Sequence, residues 1–136
     1  MSKIITEDCS PRADSILQSL RAFGYETATA IADIIDNSIS ANAKNIWIVH
    51  NWDADKSWFA IIDDGSGMDE NELREAMRMG SKNPLEVREV TDLGRFGFGL
   101  KTASFSQCKR LTVRSRKNNN VSTRCWDLDY VNKTKK

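Results

Sequence analysis

The chain is poor in several residues whose abundance marks particular protein classes. Its 136 residues include two prolines, three cysteines and one histidine. Cys9, Cys108 and Cys125 are too widely spaced for a zinc pattern or a disulfide framework, so we expect reduced, packed thiols. No apolar run approaches the length of a membrane span, and the first ten residues lack the order of a signal peptide. We therefore expect a cytoplasmic protein.

The composition that remains is that of a globular protein. Apolar residues make up 40% of the chain and charged residues 29%, and the length predicts one domain over residues 1–136. Residues 1–84 hold 8 Lys/Arg against 14 Asp/Glu, whereas residues 85–136 hold 12 against 5. The basic half suits a polyanion such as DNA or a nucleotide's phosphates, or is simply solvated surface.

Hydrophobic spacing predicts alternating helices and strands. Helices are expected over 14–23, 27–41, 69–79 and 100–107, and strands over 45–50, 58–62, 110–116 and 121–130. Residues 80–99 read as a long functional loop, and the last residues, NKTKK, as a frayed tail. The predicted fold is a two-layer α/β sandwich, a mixed and mostly antiparallel sheet covered by helices on one face.

The first motif is the segment TATAIADIIDNSISA, residues 27–41. At 100° per residue, Asn37 lies about 40° from Asp33, and Asp36 lies about 60° away on the other side. Ile31, Ile35 and Ile39 cluster on the opposite side of the helix. The pattern predicts a buried isoleucine stripe and an oxygen-rich face suited to a hard cation and to proton transfer from water. The solvated side of an ordinary amphipathic helix would show the same pattern.

Two glycine-containing motifs follow. The segment DDGSGM, residues 63–68, comes directly after the strand WFAII, and its glycines permit tight turns and close approach of a flat ligand. The segment GRFGFGLK, residues 94–101, runs into a helix, so its amides and the helix N-terminus favour phosphate. It has neither the dinucleotide-binding glycine order nor the G-K-[ST] of a P-loop.

The three motifs in this order resemble the GHKL (Bergerat-fold) ATPase superfamily, which groups DNA gyrase, heat-shock chaperones, histidine kinases and MutL. The resemblance covers about residues 14–116, and the segments AIADIIDNSIS and GRFGFGLKTAS are most similar to those of MORC-like ATPases and their bacterial relatives. It implies a domain that binds ATP with Mg²⁺.

The resemblance also implies roles for individual residues. Asn37 would coordinate Mg²⁺, Asp33 would be the general base, and Asp36 beside them would orient water or the base. Asp63 would bind the adenine amine. The remaining nucleotide contacts would come from the two glycine motifs: Gly65, Gly67, Met68, Gly94, Gly97, Phe98, Gly99, Leu100 and Lys101. Residues 80–99 would form the ATP lid.

Three departures from the superfamily pattern stand out. The base is usually glutamate, and Asp33 is shorter by one methylene, about 1.5 Å of reach. The downstream threonine of the adenine pocket has only Thr123 as a candidate. The second, transducer-type domain, which usually supplies a lysine to the γ-phosphate, is not found in this sequence, so the chain resembles an isolated ATP-binding domain.

The sequence therefore supports a main hypothesis of Mg²⁺-dependent ATP binding with slow hydrolysis, in which ATP drives a conformational or dimerisation switch. The alternatives are a regulatory nucleotide-binding module without catalysis and a chaperone-like ATPase. Arg110, Arg114 and Arg116 would share one face of a strand and could contact DNA, or could form a solvated outer face. The four tryptophans (Trp47, Trp52, Trp58 and Trp126) are expected in the core.

Overall fold

The computed structural model describes residues 12–22, 24–78 and 99–134. Their helices and strands follow in the order α1 Ala13–Ala22, α2 Thr27–Ser40, β1 Ile46–Asn51, β2 Trp58–Asp63, α3 Glu70–Met77, α4 Gly99–Gln107, β3 Arg110–Lys117, β4 Asn120–Asp127 and α5 Leu128–Thr134. The predicted α/β class is confirmed. The described strands pair as two antiparallel hairpins, β1–β2 and β3–β4.

The main core lies between three helices. Leu17 and Leu20 of α1 pack against Phe105 of α4 and against Leu128 and Val131 of α5. Burying side chains of this size stabilises the fold by about 1.5–3 kcal/mol each. The guanidinium of Arg21 also donates to the carbonyls of Phe105 and Cys108 (3.4 and 2.9 Å), so α1 satisfies the C-terminal end of α4. These contacts fix α4 relative to the helical layer.

Helix α3 is fastened to the β3–β4 hairpin. Its N-cap Asp69 accepts hydrogen bonds from the amides of Asn71 and Glu72, and Glu72 accepts from the Asp69 amide, forming a capping box. The Glu72 carboxylate also pairs with Lys117 at 2.7 Å, and Glu70 pairs with Arg124 at 2.7 Å. The predicted helix start at Asp69 is therefore confirmed. The acidic side chains at this N-terminal end also interact favourably with the helix dipole.

The C-terminal prediction was wrong. The expected strand over 121–130 ends at Asp127, and the expected tail is helical from Leu128 to Thr134. The carboxylate of Asp127 accepts hydrogen bonds from the amides of Asp129 and Tyr130 (3.0 and 3.1 Å), which starts the helix as an N-cap does. Leu128 and Val131 then bury themselves in the main core, so packing overrides the strand-like local sequence.

Several burial expectations were also wrong. Ile39 is 55% exposed, and the fully buried residues of α2 are Ala30 and Ser38. Trp47, Trp52 and Trp58 are all exposed, whereas Trp126 is half-buried and donates its indole N–H to the Met77 carbonyl at 2.8 Å. Hairpin β1–β2 has apolar side chains on both faces, and several of them are exposed because none of the described elements packs over them.

The two described cysteines differ from one another. Cys108 is half-buried, and burial raises the pKa of its thiol, as expected for a packed, unreactive cysteine. Cys125 is exposed on β4, so the expectation of a packed thiol was wrong there, and Cys9 lies outside the described residues. Across the described ranges, none of the helices combines the length and apolarity that crossing a bilayer requires.

Candidate functional site

Helix α2 carries the first group of predicted site residues. Asp33 and Asp36 are half-buried and Asn37 is exposed. Of the three predicted oxygen-bearing residues on this face of the helix, Asn37 is therefore the exposed one, and Ile31 and Ile35 are half-buried like the aspartates. Among the described residues, His, Cys, Asp and Glu form no cluster of three or more that could hold a metal ion. A cation at this face would thus depend on few protein ligands.

Asp33 has a partner that lies outside the three motifs. The hydroxyl of Tyr25, just before the helix, donates a hydrogen bond to Oδ2 of Asp33 at 2.6 Å. This bond is the main reason that the pKa of Tyr25 is raised above its ordinary value of 10.0, because deprotonation would lose the bond and place two negative charges together. The phenol stays protonated and fixes one oxygen of the predicted general base.

Asp63 joins the strand β2 to the same helix. Its Oδ2 accepts a hydrogen bond from the hydroxyl of the buried Ser38 at 2.8 Å, and its Oδ1 accepts one from the Gly65 amide at 2.9 Å. Each carboxylate oxygen has a second lone pair, so Asp63 can still accept a hydrogen bond from an exocyclic amine. Ser38 was missed from the sequence because its contact lies 25 residues away.

The neighbouring Asp64 has a different role. It accepts hydrogen bonds from the amides of Lys44 and Asn45 (2.7 and 2.8 Å) and from the Asn45 side chain (2.8 Å). These bonds to Asn45 and Lys44 hold the pKa of Asp64 below its usual range. Asp64 therefore fixes the start of β1, which leaves Asp63 as the aspartate of this pair that could bind a ligand.

The glycine turn after β2 is packed against backbone on two sides. A Cβ on Gly65 would stand 2.8 Å from Ala41, and the Ser66 amide donates to the Ala41 carbonyl at 2.8 Å, which seats the turn on the end of α2. Gly67 has φ +68°, and a Cβ there would meet the Arg116 carbonyl oxygen at 2.0 Å. The Met68 amide donates to the Ser115 hydroxyl at 2.7 Å. Only glycine fits at position 67.

The third motif is described only in part. Gly94, Gly97, Phe98 and the expected ATP lid up to residue 98 lie outside the described residues. Gly99 is exposed at the N-terminal end of α4, and Leu100 is half-buried. Lys101 is fully buried, and its Nζ donates to the carbonyls of Ala76 and Arg78 at 2.7 and 2.6 Å. In this structure, Lys101 thus binds the C-terminal end of α3.

Helix α4 lies along α2 and brings the first and third motifs together. Gln107 donates from Nε2 to the Tyr25 carbonyl at 2.8 Å, and its Oε1 accepts from the Thr27 hydroxyl at 2.7 Å. The C-terminal end of α4 is thereby tied to the N-terminal end of α2. The structure places α2 at the centre, with the glycine turn at one end and α4 alongside. Thr123, the candidate adenine-pocket threonine, is exposed on β4 opposite Arg114.

Sequence reasoning missed four residues that support the predicted site. Tyr25 and Ser38 hold the two aspartates, Gln107 holds the segment that carries Tyr25, and Ser115 holds the glycine turn. Tyr25 stands eight positions before Asp33, and an aromatic hydroxyl just before an acidic helix was an available signal. The other three contacts depend on how the chain folds back on itself, which spacing along the chain does not show.

Comparison with known proteins places the chain in a family. Residues 25–136 match the family described as histidine kinase-, DNA gyrase B-, and HSP90-like ATPase. Over 90 residues, 65% of this chain, it is 32% identical to the DNA mismatch repair protein MutL of Rhodospirillum rubrum. Over 96 residues, 68% of this chain, it is 32% identical to ATPase MORC2B of Mus musculus.

A third relative is the DNA mismatch repair protein MutL of Bacteroides fragilis, 35% identical over 78 residues, 57% of this chain. The aligned parts cover only 14%, 9% and 11% of these three relatives, so the chain spans a small share of each. The match includes all the described elements from α2 onward. The chain therefore belongs to the histidine kinase-, DNA gyrase B- and HSP90-like ATPases, with MutL and MORC ATPases among its relatives, as its three motifs predicted.

Proposed function

We propose that this domain binds ATP together with Mg²⁺ and hydrolyses it slowly. Membership of the ATPase family supports ATP as the nucleotide. The observation that carries the residue assignment is the hydrogen bond between Ser38 and Asp63, because it joins two motifs that are distant in sequence. Through it, the helix that bears Asp33 and Asn37 is fixed against the aspartate assigned to the adenine amine.

The donor set of α2 fits Mg²⁺. This ion usually keeps several waters and takes one or two protein oxygens together with substrate phosphates. The exposed carboxamide of Asn37 supplies one such oxygen. The bound ion would neutralise charge on the triphosphate. Because the described residues offer no larger metal cluster, we expect the cation to bind with nucleotide and only weakly without it.

The chain's own residues would divide the remaining work. Asp63, held by Ser38 and the Gly65 amide, accepts a hydrogen bond from the adenine amine. Gly65, Gly67 and Met68 shape the pocket beside it. The N-terminal end of α4 at Gly99 and Leu100, with Gly94, Gly97 and Phe98, would form the phosphate segment. Lys101 is buried, with its ammonium bound to the carbonyls of Ala76 and Arg78, so we leave it out of the proposed phosphate contacts. Asp33 takes a proton from the attacking water. Such phosphoryl transfer depends mainly on positioning and electrostatics.

The metal assignment is tested by ATP binding in the presence and absence of Mg²⁺. Asn37→Ala is expected to weaken Mg²⁺-dependent ATP binding by about tenfold or more, whereas Asn51→Ala, at an exposed position at the end of β1, should bind as the wild type does. Titration calorimetry measures both. Equal affinity in wild type and Asn37→Ala would remove Asn37 from the metal site.

The base assignment is tested by turnover. Asp33→Asn is expected to keep ATP affinity and to lose phosphate release in a multi-turnover assay, while Asp55→Asn, at an exposed position between β1 and β2, serves as the matched carboxylate control. Turnover that survives in Asp33→Asn would eliminate its role as base. If the wild type itself releases no phosphate, the domain is a non-catalytic regulatory module, the main alternative.

The nucleotide-driven switch is a separate part of the proposal. In the superfamily that the motifs resemble, ATP binding orders the lid and drives association of two copies, so we expect dimerisation with a non-hydrolysable ATP analogue and Mg²⁺. Sedimentation velocity with and without the analogue measures it. A chaperone-like ATPase would instead suppress aggregation of an unfolded test protein in an ATP-dependent manner.

A second candidate function is binding of DNA. Three arginines occupy the exposed face of β3, and two of them, Arg114 and Arg116, stand opposite the neutral Thr123 and Val121 in the hairpin register. Arg110 is instead paired with Asp127 at 2.6 Å. Two relatives are by name DNA mismatch repair proteins, which favours DNA as the polyanion.

This candidate predicts a salt-dependent interaction. Changing Arg114 and Arg116 together to Glu should abolish retention of duplex DNA at low salt, and the effect should shrink as salt rises. Arg110→Gln, which removes an arginine already paired, is the matched control. Equal retention by wild type and the double variant would exclude this face.

A further inference from the structure

Tyr25 contacts the proposed general base, Asp33, but the proposed ATPase mechanism assigns it no role. Tyr25 lies outside all three motifs, yet its hydroxyl is 2.6 Å from the carboxylate assigned as the base. Both side chains are half-buried, so water screens this bond less than it would a surface pair. A hydrogen bond to an ionised carboxylate is among the stronger kinds, and it fixes direction as well as distance.

The position of Tyr25 is itself held from helix α4. Gln107 donates to the Tyr25 carbonyl at 2.8 Å and accepts from the Thr27 hydroxyl at 2.7 Å, and it also donates to the Ser106 hydroxyl at 3.1 Å. The Tyr25 carbonyl and the Thr27 side chain, on either side of Glu26, are thus bound to one side chain of α4. Gln107 therefore fixes the main chain from which the Tyr25 side chain reaches Asp33.

The geometry leaves the two oxygens of Asp33 with different tasks. Oδ2 accepts the phenol hydrogen bond, and Oδ1 has no hydrogen bond to any of the described residues. A base must hold a free lone pair in a fixed direction toward the proton that it takes. Aspartate is shorter than the usual glutamate, so a fixed orientation matters more here than for a longer side chain.

We propose that Tyr25, seated by Gln107, is a positioning residue that holds Asp33 by Oδ2 so that Oδ1 receives the proton of the attacking water. The proposal rests on the proposed function, because it needs Asp33 to be the base. Tyr25 itself exchanges no proton with substrate. Its contribution is to the orientation of the carboxylate, and therefore to kcat and not to ATP affinity.

The kinetic test compares Tyr25→Phe with wild type. We expect kcat to fall by about tenfold with KM for ATP unchanged within about twofold. In an Asp33→Asn background, Tyr25→Phe should cause no further loss, because the positioned base is already gone. Tyr130→Phe, which removes the exposed second tyrosine hydroxyl on α5, is the matched control and should leave kcat unchanged.

A second measurement needs no turnover. The chain has two tyrosines, so in Tyr130→Phe the tyrosinate absorbance follows Tyr25 alone. Its titration should lie above the ordinary value of 10.0 and move down when Asp33→Asn is added, since Asp33 is the charged group that raises it. A titration that Asp33→Asn does not move would overturn the contact in solution.

The outcomes separate this inference from the function on which it rests. If Asp33→Asn keeps turnover, the base assignment fails, whatever Tyr25 does. If Asp33→Asn loses turnover while Tyr25→Phe keeps the wild-type kcat, the positioning role alone is overturned. If Tyr25→Phe lowers both ATP affinity and melting temperature but leaves kcat unchanged, Tyr25 has only a structural role.

Discussion

At the residue scale, Asp63 and Asp64 show how two adjacent aspartates take different roles. The carboxylate of Asp64 accepts hydrogen bonds from the backbone amide and side chain of Asn45 and from the backbone amide of Lys44. Asp63 is held by one hydroxyl and one amide, and it keeps lone pairs for a ligand. The sequence pair DD does not distinguish them, because the difference arises from which neighbour faces α2.

Removing the hydroxyl of Ser38 should weaken ATP binding. Ser38→Ala leaves Oδ2 of Asp63 without its donor, and a hydrogen bond to a charged group is worth about 1.5–3 kcal/mol. We expect ATP affinity to fall by roughly tenfold or more, measured by titration calorimetry. Ser40→Ala, at an exposed position on the same helix, should bind normally. Unchanged affinity in Ser38→Ala would show that Asp63 does not depend on this contact.

Two glycines with similar backbone angles should respond differently to alanine. Gly24 (φ +62°) has open space around its Cβ position, so Gly24→Ala should cost only the left-handed conformation, about 1 kcal/mol. Gly67 (φ +68°) would bring the Cβ to 2.0 Å from the Arg116 carbonyl oxygen. The added overlap should raise the cost of Gly67→Ala to roughly 3 kcal/mol. Urea unfolding compares them, and equal losses would contradict the close contact.

At the element scale, the elements with strong local signals were predicted well. Helix α2, the β1–β2 hairpin and the capped start of α3 all lie within a residue or two of their predicted bounds. Helix α5 was missed, although aspartate is a favoured N-cap residue and Asp127 does cap this helix. The strand was instead predicted to continue to residue 130, with NKTKK as a frayed tail after it.

The same limit explains the errors in α2. Its isoleucines predicted the buried side, but the buried residues are Ala30 and Ser38. Small side chains there are buried because α4 and the end of β2 pack closely against this helix. Hydrophobic periodicity gives the helix and its approximate polar face. It cannot give the rotation of the helix, because that depends on partners 25 to 80 residues away.

The contact between α3 and β3 should make stability depend on pH at both extremes. Lys117 and the Asp69 amide hold the pKa of Glu72 below its ordinary 4.5, and Glu72 raises the pKa of Lys117 above its ordinary 10.5. The contribution of Glu72 is therefore complete above pH 4.5 and is lost as pH falls through its lowered pKa. That of Lys117 is complete below pH 10.5 and is lost as pH rises through its raised pKa.

Thermal unfolding across this range tests the contact. As pH drops from 5 through the titration of Glu72, the melting temperature of wild type should fall further than that of Lys117→Met. The variant already lacks the ion pair between Lys117 and Glu72. Arg124→Met, which removes the neighbouring pair with Glu70, is the matched control for loss of a surface charge. Identical pH profiles for wild type and Lys117→Met would show that the pair does not stabilise the fold.

At the scale of the whole molecule, the apolar side chains of hairpin β1–β2 are unevenly covered. Trp47, Val49, Trp58 and Ile62 lie on one face of this hairpin, and each is more than two-fifths exposed. The tryptophans were expected in the core because large aromatic residues in strands usually pack inside. Sequence shows that a side chain is apolar, but only the arrangement of the whole molecule shows whether another element covers it.

The exposed tryptophans should contribute little to stability. Changing Trp47 and Trp58 together to Thr should leave the free energy of unfolding within about 0.5 kcal/mol and should lower the fluorescence of a hydrophobic dye. Trp126→Phe, which loses the hydrogen bond to the Met77 carbonyl, should instead cost about 1 kcal/mol. Urea unfolding with dye binding measures both. A large loss in the double variant would mean that this face is packed in solution.

The shared carboxylate of Glu72 has a consequence for local opening. It accepts hydrogen bonds from the Asp69 amide of the capping box and from the Lys117 ammonium at the end of β3. One side chain thus joins the N-terminal end of α3 to the β3–β4 hairpin. The first turn of α3 and the tip of the β3–β4 hairpin should then fluctuate as a single cooperative unit. Amide hydrogens at Leu73 and Lys117 should exchange with deuterium through the same opening event, with similar protection.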